Sequence, residues 1–188
     1  KVMIFNNEYN FINRKEYQMQ EDIKGTWKLE LNQDLSGKYY LFRVYYQNSY
    51  YDIIDPYAKA VGTNSRFGLI VNLEETNPLN WEKDSRLKID SPVDTIIYEV
   101  HVRDFSSSKK SGMKNKGKYL AFTEEATTNP QGEKTGLDHL KELGVTHVHL
   151  LPVYDFATVD DTEQDDYNWG YDPYYYNVPE GSYATDPS

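Results

Sequence analysis

The feature that most constrains the fold is a strand–helix–strand pattern over residues 95–153. Thr95-Ile96-Ile97-Tyr98-Glu99-Val100-His101-Val102 is β-branched and apolar, the composition of a strand covered on both faces. Phe105 to Pro130 is a long loop of Ser, Lys, Gly and Thr. The spacing then predicts a helix: Thr135 as a capping hydroxyl, Asp138 three residues on, Leu137, Leu140 and Leu143 on one face, and Gly144 as the stop. Val145 to Val153 reads as the next strand. Strand, helix and strand joined by a polar crossover make a βαβ unit, with parallel strands and a right-handed connection. One such unit cannot close a barrel, which needs eight strands.

Before it, residues 1–50 read as antiparallel β. Val2, Ile4 and Phe5 open a strand, Asn6-Asn7 signals a turn, and Glu16-Tyr17-Gln18-Met19 is a second, weaker strand. Gly25-Thr26-Trp27-Lys28-Leu29-Glu30-Leu31 alternates with the period of a strand that buries one face, and Lys38 to Tyr46 alternates likewise after the Asp34-Leu35-Ser36-Gly37 turn. A Trp in such a strand is more often core than a sugar platform, because its face buries so much apolar area. Four or five strands fall short of the seven or so of a full sandwich. Residues 51–92 read as a connector, with a proline-set turn at Asp55-Pro56-Tyr57-Ala58 and a short buried strand at Gly68-Leu69-Ile70-Val71-Asn72-Leu73.

The loop after the second parallel strand carries Tyr167-Asn168-Trp169-Gly170-Tyr171-Asp172-Pro173-Tyr174-Tyr175-Tyr176, in which six of ten residues are aromatic. Tyr and Trp offer a flat apolar face with a polar edge. The C–H face of a pyranose can lie on such a ring while its hydroxyls find partners at the rim. Gly170 permits a backbone path that a side chain would block, and Pro173 pushes Asp172 out of the helical region. The run is therefore a rigid, non-helical loop that holds one carboxylate beside Tyr171. A tyrosine-rich loop packed on its own core fits the composition equally well.

The net charge of -10 argues against nucleic acid, whose phosphates need a basic surface, and suits a neutral polymer. With no cysteine there is neither a disulfide framework nor thiol chemistry. No apolar run reaches bilayer length, and the start lacks the pattern of a signal peptide. Bacterial cytoplasm and secretion remain equal options.

Other groups invite chemistry and have a simpler use. His147 and His149 share one face of a strand, a spacing open to a metal, but without cysteine nearby a partnered histidine is the better reading for them and for His101. Glu99 and Arg103-Asp104 suit a buried ion pair. Asp155 and Asp160-Asp161-Thr162-Glu163-Gln164-Asp165-Asp166 form an acid-dense loop of the kind from which calcium takes oxygens. The loop lacks the order and glycine of an EF-hand, so a solvated loop is the default and calcium only a candidate ion.

Tyr167-Asn168-Trp169-Gly170-Tyr171-Asp172-Pro173 resembles the signature of type I pullulanases, α-1,6-glucan debranching enzymes of the α-amylase superfamily. Val178-Pro179-Glu180-Gly181-Ser182-Tyr183-Ala184-Thr185-Asp186-Pro187 is similar to the continuation in that family. The Gly25-x-Trp27 strand and the Gly37-Lys38-Tyr39-Tyr40 hairpin partner resemble its carbohydrate-binding β-sandwich. The resemblance implies a partial sandwich over 1–50, a connector over 51–92 and, over 93–188, the first strand, first helix and second strand of a (β/α)8 TIM barrel with its long loop. It implies a retaining hydrolase acting on pullulan, amylopectin or limit dextrins. Tyr171 would stack on the sugar at the cleaved residue's subsite, Asp172 would orient it from beneath, and Asn168 and Trp169 would shape the same wall.

The superfamily's catalytic acids come from the fourth, fifth and seventh strands, which this sequence does not reach, so no catalytic residue is carried over. Both ends read as cut, Asp186-Pro187-Ser188 being the kind of tip that proteolysis nicks. The remaining C-terminal portion is the expected partner, and the chain alone is expected to be inactive. A non-catalytic glucan-binding protein is the alternative.

Overall fold

The computed structural model describes all residues but Ala157, Gln164, Asp165 and Ser188. Among the described residues the regular structure is mostly β-strand with one short α-helix, and no barrel closes. Contacts divide the chain into two compact units: residues 1–77 with 175–179, and residues 78–174 with 180–187.

The first unit is built on β1 (Val2–Phe5), β2 (Arg14–Tyr17), β3 (Gln20–Glu21), β4 (Trp27–Lys28), β5 (Tyr39–Tyr46), β6 (Ser49–Ile53) and β7 (Gly68–Leu69). One antiparallel sheet runs β2-β1-β5-β6, with β7 on the free stretch of β5 at Tyr39 and Tyr40. All four residues of β1 are buried, as a central strand with apolar residues at every position requires. Met3 and Phe5 pack with Leu41 and Phe67 into the core, and Tyr39 and Ile54 close its rim. The sheet runs on past residue 50: β6 and β7 extend it, and the Gly62 N–H donates to the Phe67 carbonyl at 2.9 Å. The turn at Asp55 forms as read, with the Tyr57 N–H donating to Asp55 Oδ1 at 2.9 Å.

The strand expected over Gly25 to Leu31 shrinks to Trp27–Lys28, paired with Gln20–Glu21. Lys24 and Gly25 are both left-handed, so the chain turns sharply just before Trp27 and only two residues find a partner. Trp27 is not core: it is 56% exposed and lines an open apolar cleft with Phe42, Val44 and Ile53 of the sheet.

The second unit holds β8 (Ile97–Val100), α1 (Gly136–Glu142), β9 (His147–Leu150) and β10 (Tyr154–Asp155); β11 (Tyr175–Pro179) clusters with the first unit. The β8 and β9 strands pair in parallel, Ile97 opposite His147 through Val100 opposite Leu150, as the pattern requires. They are not covered on both faces. Ile97 is 63% exposed, since a two-stranded sheet has only one partner and no layer above it among the described residues.

The helix starts and stops where expected, with Leu140 buried and Gly144 left-handed just beyond. Its start is held differently. Thr135 does not cap; its hydroxyl donates to the Ser111 carbonyl at 2.5 Å, and Asp138 accepts from the Ala126 N–H at 2.6 Å. Both side chains tie the long loop down instead. The core of this unit is Val102, Phe156, Val159 and Tyr183, flanked by Tyr119, Phe122, Leu150 and Val153.

Candidate functional site

Up to Pro173 the aromatic loop is fixed by side-chain hydrogen bonds, and its last two residues, Tyr175 and Tyr176, already belong to β11. Gly170 sits at φ +84°, and an added Cβ there would come within 2.5 Å of the Pro152 carbonyl oxygen. Only glycine combines that torsion with so close an approach. The Gly170 N–H donates to Asn168 Oδ1 at 2.7 Å, and Asn168 Nδ2 donates to Thr158 Oγ1 at 2.5 Å. Asp172 Oδ2 accepts from Thr158 Oγ1 at 3.2 Å and from Asn168 Nδ2 at 3.3 Å. One asparagine thus fixes both the glycine bend and the carboxylate. The Tyr174 N–H goes to the Asp155 carbonyl at 2.7 Å, so Asp172 is not spent on capping that nitrogen.

Beneath the loop lies His101, which is 3% exposed. The Arg103 N–H donates to its Nδ1 at 3.1 Å. In the neutral ring this leaves the hydrogen on Nε2, which donates to the Asn168 carbonyl at 2.8 Å. The Tyr183 hydroxyl lies 3.0 Å from the same nitrogen, and the Tyr167 ring stacks on the imidazole at 4.8 Å and 27°. Tyr167 is fixed in turn by Asp104 Oδ2, to which its hydroxyl donates at 3.3 Å. Burial raises the Tyr183 hydroxyl's pKa, with Glu180 adding to it, so this phenol remains neutral and donates to the Asn168 carbonyl at 3.5 Å.

The four residues singled out in the sequence therefore meet in one loop. Asn168 is half-buried as the organiser, while Trp169 and Tyr171 are 63% and 67% exposed and Asp172 is open to solvent. A fixed backbone with two open rings and one open carboxylate can take a flat apolar face and hydrogen-bond its edge. His101, Thr158 and Tyr183 were not visible as members of this arrangement. Their roles depend on contacts 10 to 82 residues apart in sequence.

The other candidates resolve simply. Glu99 faces His149, 3.3 Å from Nδ1, on the exposed ribbon, and the Arg103 guanidinium donates to the Asp166 carbonyl at 2.7 Å. Glu99 thus faces His149 at an exposed position in place of the buried ion pair expected of it, since among the described residues no layer covers this part of β8. Thr146 Oγ1 lies 2.9 Å from His147 Nδ1. In the acid-dense loop Asp155 and Asp161 are buried, while Gln164 and Asp165 lie outside the described residues. Among the described residues no group of three His, Cys, Asp or Glu side chains could hold a metal ion. No described helix is long and apolar enough to cross a membrane.

No family model matches the sequence. The chain is 45% identical over 172 residues to the pullulanase of Bacillus subtilis (strain 168), covering 91% of this chain and 23% of that protein. It is 32% identical over 212 residues to pullulanase 1, chloroplastic, of Arabidopsis thaliana, covering 89% of this chain and 21% of that one. Among solved structures, the pullulanase from Bacillus acidopullulyticus superposes with a TM-score of 0.93 at 48% identity, over 100% of this chain and 23% of that one. The Paenibacillus barengoltzii pullulanase in complex with maltohexaose and alpha-cyclodextrin gives 0.93 at 47%, over 99% of this chain and 29% of that one. The chain thus spans between 21% and 29% of the length of these four proteins.

Proposed function

We propose, from the premise that this chain belongs with the pullulanases and matches one portion of them, that it supplies a substrate-binding wall to an α-1,6-glucan debranching hydrolase. The enzyme it serves would cleave branch linkages in pullulan, amylopectin or limit dextrins with retention of configuration, through acids that lie outside residues 1–188. The remaining C-terminal portion is its partner in that enzyme. Residues 1–50 are the incomplete carbohydrate-binding β-sandwich, and residues 51–92 connect it to the barrel portion. In the second unit, β8, α1 and β9 are the first strand, helix and second strand of the (β/α)8 barrel, and the aromatic loop lies beyond β9, on the side where such barrels work.

The observation that carries the reading is the pairing of rigidity with exposure. Trp169 and Tyr171 present open rings from a loop locked by Gly170, Asn168 and His101. A loop that merely packed on its own core would bury those rings. Tyr171 stacks on the sugar, Asp172 orients its hydroxyls, and Asn168 and Trp169 complete the wall.

The test is calorimetric titration of the full-length protein with maltotriose, together with pullulan hydrolysis. Tyr171→Ala and Trp169→Ala are expected to weaken binding about tenfold each, roughly 1.4 kcal/mol. Unchanged affinity in both would overturn the reading. Residues 1–188 alone should release no reducing ends from pullulan.

A further inference from the structure

The buried carboxylate of Glu180 has no part in the site described so far. It is fully buried, yet the segments it joins lie on either side of the aromatic loop in sequence. Its Oε2 accepts the Phe156 N–H at 3.0 Å and its Oε1 accepts the Ser182 N–H at 2.9 Å, while its own N–H donates to the Val153 carbonyl at 2.9 Å. Two backbone donors converge on one side chain, which only a group with two acceptor oxygens satisfies in full. The Ser182 bond caps the short turn Gly181–Tyr183 and so aims the Tyr183 ring. That ring meets Phe156, Tyr119 and His101 edge-on at 6.0, 5.6 and 5.6 Å, and its hydroxyl reaches His101 Nε2. His101 in turn holds the Asn168 carbonyl.

We infer that Glu180 is a positioning residue: acting through Tyr183 and His101, its carboxylate sets the place of the Asn168 carbonyl and with it the loop that carries Trp169, Tyr171 and Asp172. The path is continuous and short, and each link is a named hydrogen bond or the turn that joins two. A buried carboxylate is a costly way to hold two loops, because an ion gives up hydration that an apolar residue never had. The surroundings keep that cost high. Asp161 is buried beside it, close enough that a Cβ on Gly181 would come within 2.6 Å of Asp161 Oδ2. Asp155 is buried nearby, and the Tyr119 and Tyr183 phenols are close by. The Lys118 ammonium also lies near and donates to the Ser182 carbonyl at 2.7 Å. Burial outweighs the hydrogen bonds from Ser182 and Phe156 and, with a small addition from Asp161, pushes the Glu180 pKa up to about 7. What the carboxylate gains over an apolar filler is direction: two fixed N–H vectors that orient the Tyr183 turn.

The inference rests on the glucan-wall reading for its functional consequence and on geometry alone for the positioning. Three full-length variants test it, Glu180→Gln, Tyr183→Phe and the double. Hydrogen exchange across residues 166–174 reads the loop, with β5 as the internal reference, and pullulan kinetics read the site. An amide keeps the shape but has one acceptor for two donors, and Tyr183→Phe keeps the ring but loses the hydroxyl. Each single variant is expected to speed loop exchange about tenfold and raise KM several-fold with kcat within twofold. The double should match the larger single, because both act on one path. Unchanged loop exchange in both singles, or additive effects in the double, would overturn the inference. If Glu180→Gln does not fold, Tyr183→Phe alone decides by the same two readouts. Faster loop exchange with unchanged KM, together with full affinity in Tyr171→Ala and Trp169→Ala, would uphold the positioning and sink the glucan-wall reading.

Discussion

Two regions of this molecule display open aromatic rings, and they are built on opposite principles. On the sheet, Tyr45, Tyr46, Tyr50 and Tyr51 stand out from β5 and β6, with Tyr45 opposite Tyr50 across the ladder at 6.3 Å. Their backbones are held by inter-strand hydrogen bonds that do not depend on which side chains are present. In the loop, Trp169 and Tyr171 are held by an asparagine, a glycine and a buried histidine, each irreplaceable in its own way. The sheet tolerates substitution and leaves its rings loosely specified. The loop is brittle and specific. A ligand-binding wall needs the second kind of construction, because the open groups must be in place before the ligand arrives.

Substitution at Gly170 breaks the contrast most sharply. Gly170→Ala must carry a Cβ at φ +84° and within 2.5 Å of a backbone oxygen. The torsion alone costs about 1–2 kcal/mol, and the clash brings the total to about 3 kcal/mol or more. Chemical denaturation should register that loss, and maltotriose titration should show binding gone. Tyr50→Ala on the sheet should change neither beyond about 0.5 kcal/mol.

Next comes pH. Glu180 binds its proton more tightly folded, with a pKa near 7 against an ordinary 4.5, so its contribution to stability is whole below 4.5 and is lost as pH rises through 7. A shift of this size corresponds to up to about 3 kcal/mol. Glu124 also accepts two backbone N–H groups, from Lys114 and Asn115 at 2.8 and 2.7 Å, but it is only half-buried. Those bonds hold its pKa below the ordinary value, so its contribution is present above that value and is lost as pH falls. Denaturation curves from pH 4 to 8 should therefore show stability falling with rising pH in wild type relative to Glu180→Gln. Relative to Glu124→Gln, the difference should run the other way. Parallel curves would contradict the burial argument.

Asn168→Ala removes the acceptor for the Gly170 N–H and the donor to Thr158 and Asp172 at one stroke. The expected loss is about 2 kcal/mol of stability and about tenfold in maltotriose affinity, read by denaturation and calorimetry.

What the sequence disclosed follows the same division. The parallel pair β8 and β9, the helix between them and the Gly144 stop were legible because they rest on period and on local φ preference. So was the bend at Gly170, which follows from the glycine itself. Whatever depends on a distant partner was not legible. Thr135 has the spacing of a cap, but a carbonyl 24 residues earlier takes its hydroxyl. Trp27 alternates like a core residue and is open, because alternation cannot say whether a second layer exists. Glu180 stands in the Val178–Pro187 stretch with no sign of its burial, and only the folded chain brings the Phe156 N–H to it from 24 residues away.

The smallest effect sharpens the sheet side of the comparison. Arg43 and Asp52 face each other across β5 and β6 and join through two bonds of 2.7 Å, with the guanidinium 4.2 Å above the Tyr50 ring. This is the best-formed ion pair on the sheet, with the geometry that suits arginine and not lysine. Even so, it lies at the surface, where an ion pair contributes about 1 kcal/mol or less, and the ladder beneath it remains when it is gone. Asp52→Asn should cost no more than that in denaturation, shrink further at 1 M salt as screening shortens the charge's reach, and leave maltotriose affinity unchanged. A loss as large as that of Asn168→Ala would show that the sheet, too, depends on single side chains, and the distinction between the two regions would fall.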